Sequence, residues 1–501
     1  MDGSIAGAAR ASVTTAFGPD GAAEQDAEAV WRETLDAAAR ALGAAGVSSR
    51  DVAAVVVSAQ YSSIVPVDAN MVPVAPMVTW MDQRSSPKRL RRLSGRHRLG
   101  DPPLVLARYL AVHGLAPIEA GMSINHMRWI RAARPDLYER TAFFLEPVDY
   151  LTARLSGRAT ANQCSAFMQM LADNRKVPSV GWHPDLVAAS GIDGEKLPEC
   201  VAAGSVVGTV TREVTDRLGL PPTTQVLSGI NDTQAGAVAA GVGHGDHGGL
   251  AVGTTAVIVA GARRKKVDPF RSMFTMPSPL GTGHLLSAEN GVAGVAVDHF
   301  LDGIVDPDDL FATTMNAPDR YRAFDDAAAA APAGSSGVLF LPWLRGSIAP
   351  KADGSARGGF LGVGLDTTRH DLARAVLEGV ALNLRWLQDA SEGFLGRDLP
   401  FHRFYGGGAT SVLWGGILAD VLDRRVERLD RAGYANSLGT AFFAFDRLGV
   451  TAAGDLADAL PIASVHEPDP GKRGLYEDLA GTFRLAFKRT RPVSHRLVGR
   501  R

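Results

Sequence analysis

The sequence predicts a two-domain α/β protein with a cleft between its domains. Three observations carry this. A chain of 501 residues is too long to fold around one core. Short apolar runs rich in β-branched residues alternate with stretches of helical period. Glycine-bearing turns follow several of the strand-like runs, at the edge where open α/β sheets place ligands.

Residues 4–17, rich in Ala, Val and Thr, read as extended, and Pro19-Asp20-Gly21 as a turn. Asp26 is placed to cap a helix whose apolar positions Val30, Trp31, Leu35 and Leu42 fall on one side. Residues 53–57, 64–67 and 77–80 read as buried parallel strands. Residues 100–121 show no clear period, helices are expected near 127–133 and 147–155, and 177–198 reads as a surface excursion. Strands return at 225–230, 249–252 and 256–260, and 325–333 reads as a helix end or linker. An apolar strand at 340–344 opens into a long Gly/Pro/Ser loop reaching Gly364. Thr368 and Asp371 then form a capping box with Asp in place of Glu, ahead of a helix with Leu372, Val376, Leu384 and Leu387 on one face. The alternation as a whole predicts covered, mostly parallel sheets.

Composition narrows the function. Formal net charge is −1 with 21% charged residues, which argues against nucleic acid or a membrane surface as the main partner. Only the stretch 489–501 is basic, and it reads as a solvated tail. Cys164 and Cys200 cannot frame a chain of this size with disulfides and lack metal-ligand spacing, so a reducing, cytoplasmic compartment is expected. No apolar run reaches the length of a membrane span, and the first residues lack a signal pattern.

Four clusters carry chemistry. Ser228 to Gly236 brings a strand to an aspartate, Asp232, at the start of an Ala/Gly-rich helix; the carboxylate either serves a ligand or only caps the helix. Gly253-Thr254-Thr255 joins two apolar strands and is either a phosphate-binding turn or a plain hairpin. Tyr405-Gly406-Gly407-Gly408-Ala409-Thr410-Ser411 runs into an apolar-faced helix, as a nucleotide-holding turn or a tight packing turn. Phe340 to Gly346, continuing through Asp353 and Ala356-Arg357-Gly358-Gly359-Phe360, has the aromatics of an ordered loop near a cleft.

In this order the clusters resemble the FGGY family of carbohydrate kinases. The resemblance is carried by Phe340-Leu341-Pro342-Trp343-Leu344-Arg345-Gly346, by Ala356-Arg357-Gly358, and by Arg374-Ala375-Val376-Leu377-Glu378-Gly379. Trp80-Met81-Asp82-Gln83-Arg84 and Asp149-Tyr150-Leu151 with Leu155-Ser156-Gly157 are similar to two further family segments. The resemblance implies two actin-like, ribonuclease-H-type domains: a sugar-binding domain over 1–244 and an ATP-binding domain over 245–501, meeting near 241–247. It implies phosphorylation of a small ketose or polyol with ATP and Mg²⁺, a xylulose-like sugar foremost, with ribulose, glycerol and gluconate as rivals. Asp232 would be the catalytic base. Gln60, Tyr61, Ser62, Asp82, Arg84, Asn231 and Asp232 would face the sugar. Gly253, Thr254, Thr255, Gly406, Gly407, Gly408, Ala409 and Ser411 would hold ATP. No residue is assigned to the metal, and a homo-oligomer is compatible with the sequence.

Two departures stand out. Xylulokinases of the family carry Met-His after a Gly-Gln; this chain has Ala59-Gln60 followed by Tyr61-Ser62. Family members open with a D-x-G-T-T strand, whereas Met1-Asp2-Gly3-Ser4 looks like the turn after it. The expectation is that the first strand of domain one is missing from the given sequence through a start placed too far downstream. The alternative is a non-catalytic sugar-binding or regulatory protein on the same fold.

Overall fold

The computed structural model describes residues 4–93, 101–243, 245–281, 283–304 and 317–499. Met1 to Gly3, Gly100, His244, Arg500 and Arg501, all invoked above, lie outside the described residues.

The N-terminal half opens with the hairpin β1 (Ala16–Gly18) and β2 (Ala22–Gln25), with Pro19–Gly21 as its turn. Asp26 caps α1 (Ala27–Ala45) by accepting from the amides of Glu28 and Ala29, and the helix buries Trp31 and Leu35. β3 (Ala54–Ala59) is followed by β4 (Val65–Val67), β5 (Met77–Val78), β6 (Phe143–Leu145) and α2 (Pro147–Ser156). β4 pairs with β6 and β5 with β2, both antiparallel, which corrects the parallel reading of 64–67 and 77–80. Full burial of a short strand shows in sequence; direction depends on a remote partner and does not. β7 (Thr160–Asn162) and β8 (Glu199–Val201) form a small parallel pair. β9 (Val206–Thr209) and β10 (Gln225–Asn231) complete a sheet of order β3-β10-β9, with β10 parallel to β3 and antiparallel to β9. β10 delivers the chain into α3 (Asp232–Ala239). Residues 100–121, read as aperiodic, contain a helix at Pro103–Val112; its run Leu104-Val105-Leu106 puts apolar residues all round and hides the period.

The C-terminal half is built on one eight-stranded sheet. Its strands are β11 (Gly248–Val252), β12 (Ala256–Ala262), β13 (Val267–Asp268), β14 (Met273–Pro277) and β15 (His284–Asn290). Helix α4 (Gly294–Gly303), the hairpin β16 (Leu339–Leu341) with β17 (Gly359–Leu361), and α5 (Arg369–Leu395) follow. β18 (Phe401–Tyr405), α6 (Val412–Leu422), β19 (Arg425–Leu429), α7 (Ala435–Arg447), β20 (Ile462–His466) and α8 (Arg473–Val498) complete it. The sheet order is β13-β14-β15-β12-β11-β18-β19-β20, and only β11-β18 and β18-β19 are parallel, which corrects the expectation of mostly parallel sheets. A three-residue link such as Gly253–Thr255 can only return a strand antiparallel. The capping box is formed: Thr368 Oγ1 accepts from the Asp371 amide and Asp371 Oδ2 from the Thr368 amide.

The basic C-terminal stretch is no solvated tail. It ends α8, where Ser494 is buried and His495 Nε2 lies 2.8 Å from Asp353 Oδ2, with Arg491 on the same carboxylate. Two helices tie the halves together. α3 and α7 cross so closely that a Cβ on Gly439 would stand 1.8 Å from the Ala235 carbonyl oxygen. On α7, Phe443 is buried with Cys164, Ile230 and Ala235 of the N-terminal half.

Because the obstruction at Gly439 is backbone, no side-chain movement relieves it. Gly439→Ala is expected to lower the unfolding free energy in urea by about 3 kcal/mol. The same change at Gly481, in the exposed middle of α8 where an added Cβ meets nothing within 4 Å, should raise it by about 0.5–1 kcal/mol. Equal effects at the two sites would show that the crossing is slack.

Candidate active site at the cleft

Asp232 is the first residue of α3, and it is not the cap. Asn231 caps the helix, its Oδ1 accepting from the Gln234 amide at 2.9 Å while its Nδ2 donates to the Cys164 carbonyl. The Asp232 carboxylate accepts from its neighbour's amide, Thr233 N at 2.7 Å. Burial pushes its pKa up to about 6, with the Thr233 contacts opposing.

Of the other candidate sugar residues, Tyr61 is the one that feels the Asp232 charge. Tyr61 follows β3, and its hydroxyl is pushed up by burial and by the charges of Glu289, Asp232 and Glu146, while bonding Thr233. Ser62 adopts a left-handed backbone, φ 61°, and its hydroxyl is buried without a partner. Gln60 donates to Gln25 Oε1 at 3.0 Å. Asp82 is fully buried, accepting from the Ala23 amide and from Arg84. Arg84 also pairs with Glu24 at 2.5 Å and stacks on Trp129, so its charge is already neutralised. His126, pushed down to about 4 by burial, sits beside Asp82 with both ring nitrogens unpartnered. Glu146 takes the Ser63 amide on Oε2 and leaves Oε1 free. His126, Glu146 and Glu289 escaped the sequence reading, since nothing local marks them apart from a charged residue inside an otherwise buried strand or helix.

The two glycine turns are neighbours. β11 and β18 run parallel with Ala251 opposite Tyr405, so their carboxyl ends open side by side into Gly253 and Gly406. Gly406 has φ 90°, and a Cβ there would meet the Val252 carbonyl at 2.8 Å; Gly408 packs on the Val252 side chain. These two glycines serve packing. Gly253 and Gly407 are exposed, and an added Cβ at either meets nothing within 4 Å, although the Gly253 amide is already spent on the Thr255 carbonyl at 2.8 Å. The first turn is braced from behind: Gly294 N donates to the Gly253 carbonyl at 2.7 Å and Ala293 N to that of Thr254 at 3.0 Å. Ala409 is buried, its carbonyl taken by Arg428, and Ser411 caps α6 through the Trp414 amide.

The two sides converge. Tyr405, one residue before the second turn, feels the Asp232 charge and lies against Gly236 of α3. Glu289 on β15 bonds Thr255 and feels Asp232.

The family comparisons agree with this layout. The N-terminal domain of the FGGY family of carbohydrate kinases matches residues 1–239 and its C-terminal domain 249–446. A xylulose kinase of Bacillus subtilis is 25% identical over 423 residues, covering 82% of this chain and 77% of its own. A glycerol kinase of Myxococcus xanthus is 28% identical, covering 84% and 81%. The crystal structure of a xylulose kinase from Rhodospirillum rubrum superposes with a TM-score of 0.80 at 25% identity, over 96% of this chain and 93% of that one. The chain belongs to the FGGY family of carbohydrate kinases.

Proposed function

We propose that this carbohydrate kinase transfers the γ-phosphoryl group of ATP to a hydroxyl of a small ketose or polyol, a xylulose-like sugar foremost, with Asp232 as the base. The observation that carries the reading is Asp232 itself: a buried carboxyl that caps nothing, at the carboxyl end of β10, set against the two turns that end β11 and β18. The names of the relatives, xylulose kinase and glycerol kinase, support the substrate class. In this reading the sugar-binding domain is 1–244 and the ATP-binding domain 245–501.

The sugar lies along Gln60, Tyr61 and Ser62, with one hydroxyl on Asp232. As the hydroxyl oxygen bonds to the γ-phosphorus, its proton passes to Asp232 and the bond to the β-phosphate oxygen breaks, releasing ADP. The exposed Thr254 of the first turn and the Gly407 amide of the second receive phosphate oxygens. Mg²⁺ bound with ATP neutralises phosphate charge; it takes oxygen ligands, and the exposed Thr254 hydroxyl is a donor of that kind. Asp82 pairs with Arg84, which also pairs with Glu24, and together they shape the pocket wall.

Asp232→Asn is expected to cut sugar-dependent ADP release by about 10²–10⁴-fold while sugar binding by calorimetry persists. Near-parental turnover would remove Asp232 from the role. A base must be ionised to act, so kcat/KM should fall tenfold per pH unit below about 6. A flat profile from pH 7 to 5 would contradict it.

The Tyr61 hydroxyl, wedged among carboxyls, is expected to contact the sugar. Tyr61→Phe should lower kcat/KM for the best ketose about 5–10-fold, the worth of one hydrogen bond to a buried polar group, and leave the KM for ATP unchanged. The reverse split would place the tyrosine on the nucleotide side.

A further inference from the structure

Glu289 has no part in the chemistry above, yet it stands where both halves of the site meet. On the antiparallel pair β12–β15 it lies opposite Val257, and Thr255 is two residues before Val257, so Glu289 and Thr255 share one face of the sheet. Its backbone carbonyl is held by the Ala349 amide at 3.2 Å, which fixes the end of β15 against the loop after β16. The groups facing its carboxyl are Thr255 on its own sheet, Asp232 at the start of α3, and Tyr61 after β3.

We propose that Glu289 is a positioning residue for phosphoryl transfer, reaching across the cleft so that one side chain engages the Thr255 hydroxyl of the first phosphate turn and faces Asp232. The inference rests on the reading of Asp232 as the base and adds to it a link between that base and the nucleotide turn. The groups named as facing the Glu289 carboxyl, Thr255, Asp232 and Tyr61, include no cation that would hold it ionised. Burial and the nearby Asp232 charge push Glu289 up to about 7, so its protonated form is populated near neutral pH. A neutral Glu289 leaves Asp232 as the ionised member of the pair, which is what a base requires. An ionised Glu289 sets a second negative charge beside the turn that must receive the γ-phosphate.

Two consequences separate this role from a merely structural one. ATP affinity should weaken as pH rises through about 7 in the parent enzyme, and Glu289→Gln, permanently neutral, should abolish that dependence. Glu289→Ala removes the partner of Thr255 and should raise the Kd for ATP about fivefold, the worth of one hydrogen bond, with the sugar Kd unchanged. Thr255→Val should match it, and the double variant should be no worse than either alone.

The experiment is calorimetric titration of ATP and of the best ketose between pH 6 and 8 for the parent and these variants. A Glu289→Gln protein that keeps the parental pH dependence, or Glu289 and Thr255 changes whose effects add, would overturn the proposal. If Glu289→Ala does not fold, the Glu289→Gln profile decides alone. Because the readout is binding, failure of Asp232 as the base, seen as turnover by Asp232→Asn, remains distinguishable from failure of this inference.

Discussion

The structure turns on the crossing of α3 over α7. At Gly439 the two backbones meet with no room for a single methyl group, and the side chains of Tyr405 and Asn436 close over Gly236 of α3. A contact made by backbone has no soft degree of freedom, so α3 cannot slide along its axis without breaking it. Asp232 is the first residue of that helix. Its place is therefore set from below by a helix of the C-terminal half, while β10 sets it from the N-terminal side. The side chain of Phe443, buried against Cys164, Ile230 and Ala235, adds an apolar anchor to the same joint. Asp232 and the two glycine turns thus belong to different sheets and are still held together by this joint.

Electrostatics then decides what the site can do. The N-terminus of α3 favours an ionised carboxylate, and so does the Thr233 amide. Burial opposes both and wins, leaving Asp232 near 6 rather than in the ordinary carboxylate range. A carboxyl so poised is ionised at neutral pH and still basic enough to take a proton. Arg84 is held by Asp82 and Glu24, and no cation is named among the causes that shift Asp232 or Glu289.

Local signals were readable in the sequence, and remote ones were not. The Asp26 cap, the Thr368–Asp371 box and the strands leading into Asp232, Gly253 and Gly406 each depend on residues a few positions apart. The family resemblance added the order in which these pieces come together. Sequence alone could not tell the packing glycines, Gly406 and Gly408, from the open ones, Gly253 and Gly407, because the distinction lies in what Val252 does. Nor could it show that Asn231 takes the cap and so frees Asp232. Glu289 reads as one charge in a strand until β15 is laid beside β12. The basic stretch at the end of the chain looked solvated, yet its arginine and histidine reach back to Asp353 in the loop after β16. In each case the deciding partner is far away in sequence, and only the folded chain supplies it.

The central claim is geometric: a sugar hydroxyl held by Asp232 and a γ-phosphate held at the Gly253 and Gly407 turns meet in one cleft. A crystal structure with a non-hydrolysable ATP analogue and a ketose tests it most directly. The account predicts the γ-phosphate against the amides of both turns and a sugar hydroxyl within hydrogen-bond distance of the Asp232 carboxylate, in line with the phosphorus. A nucleotide bound away from the two turns, or a sugar with no hydroxyl on Asp232, would contradict it.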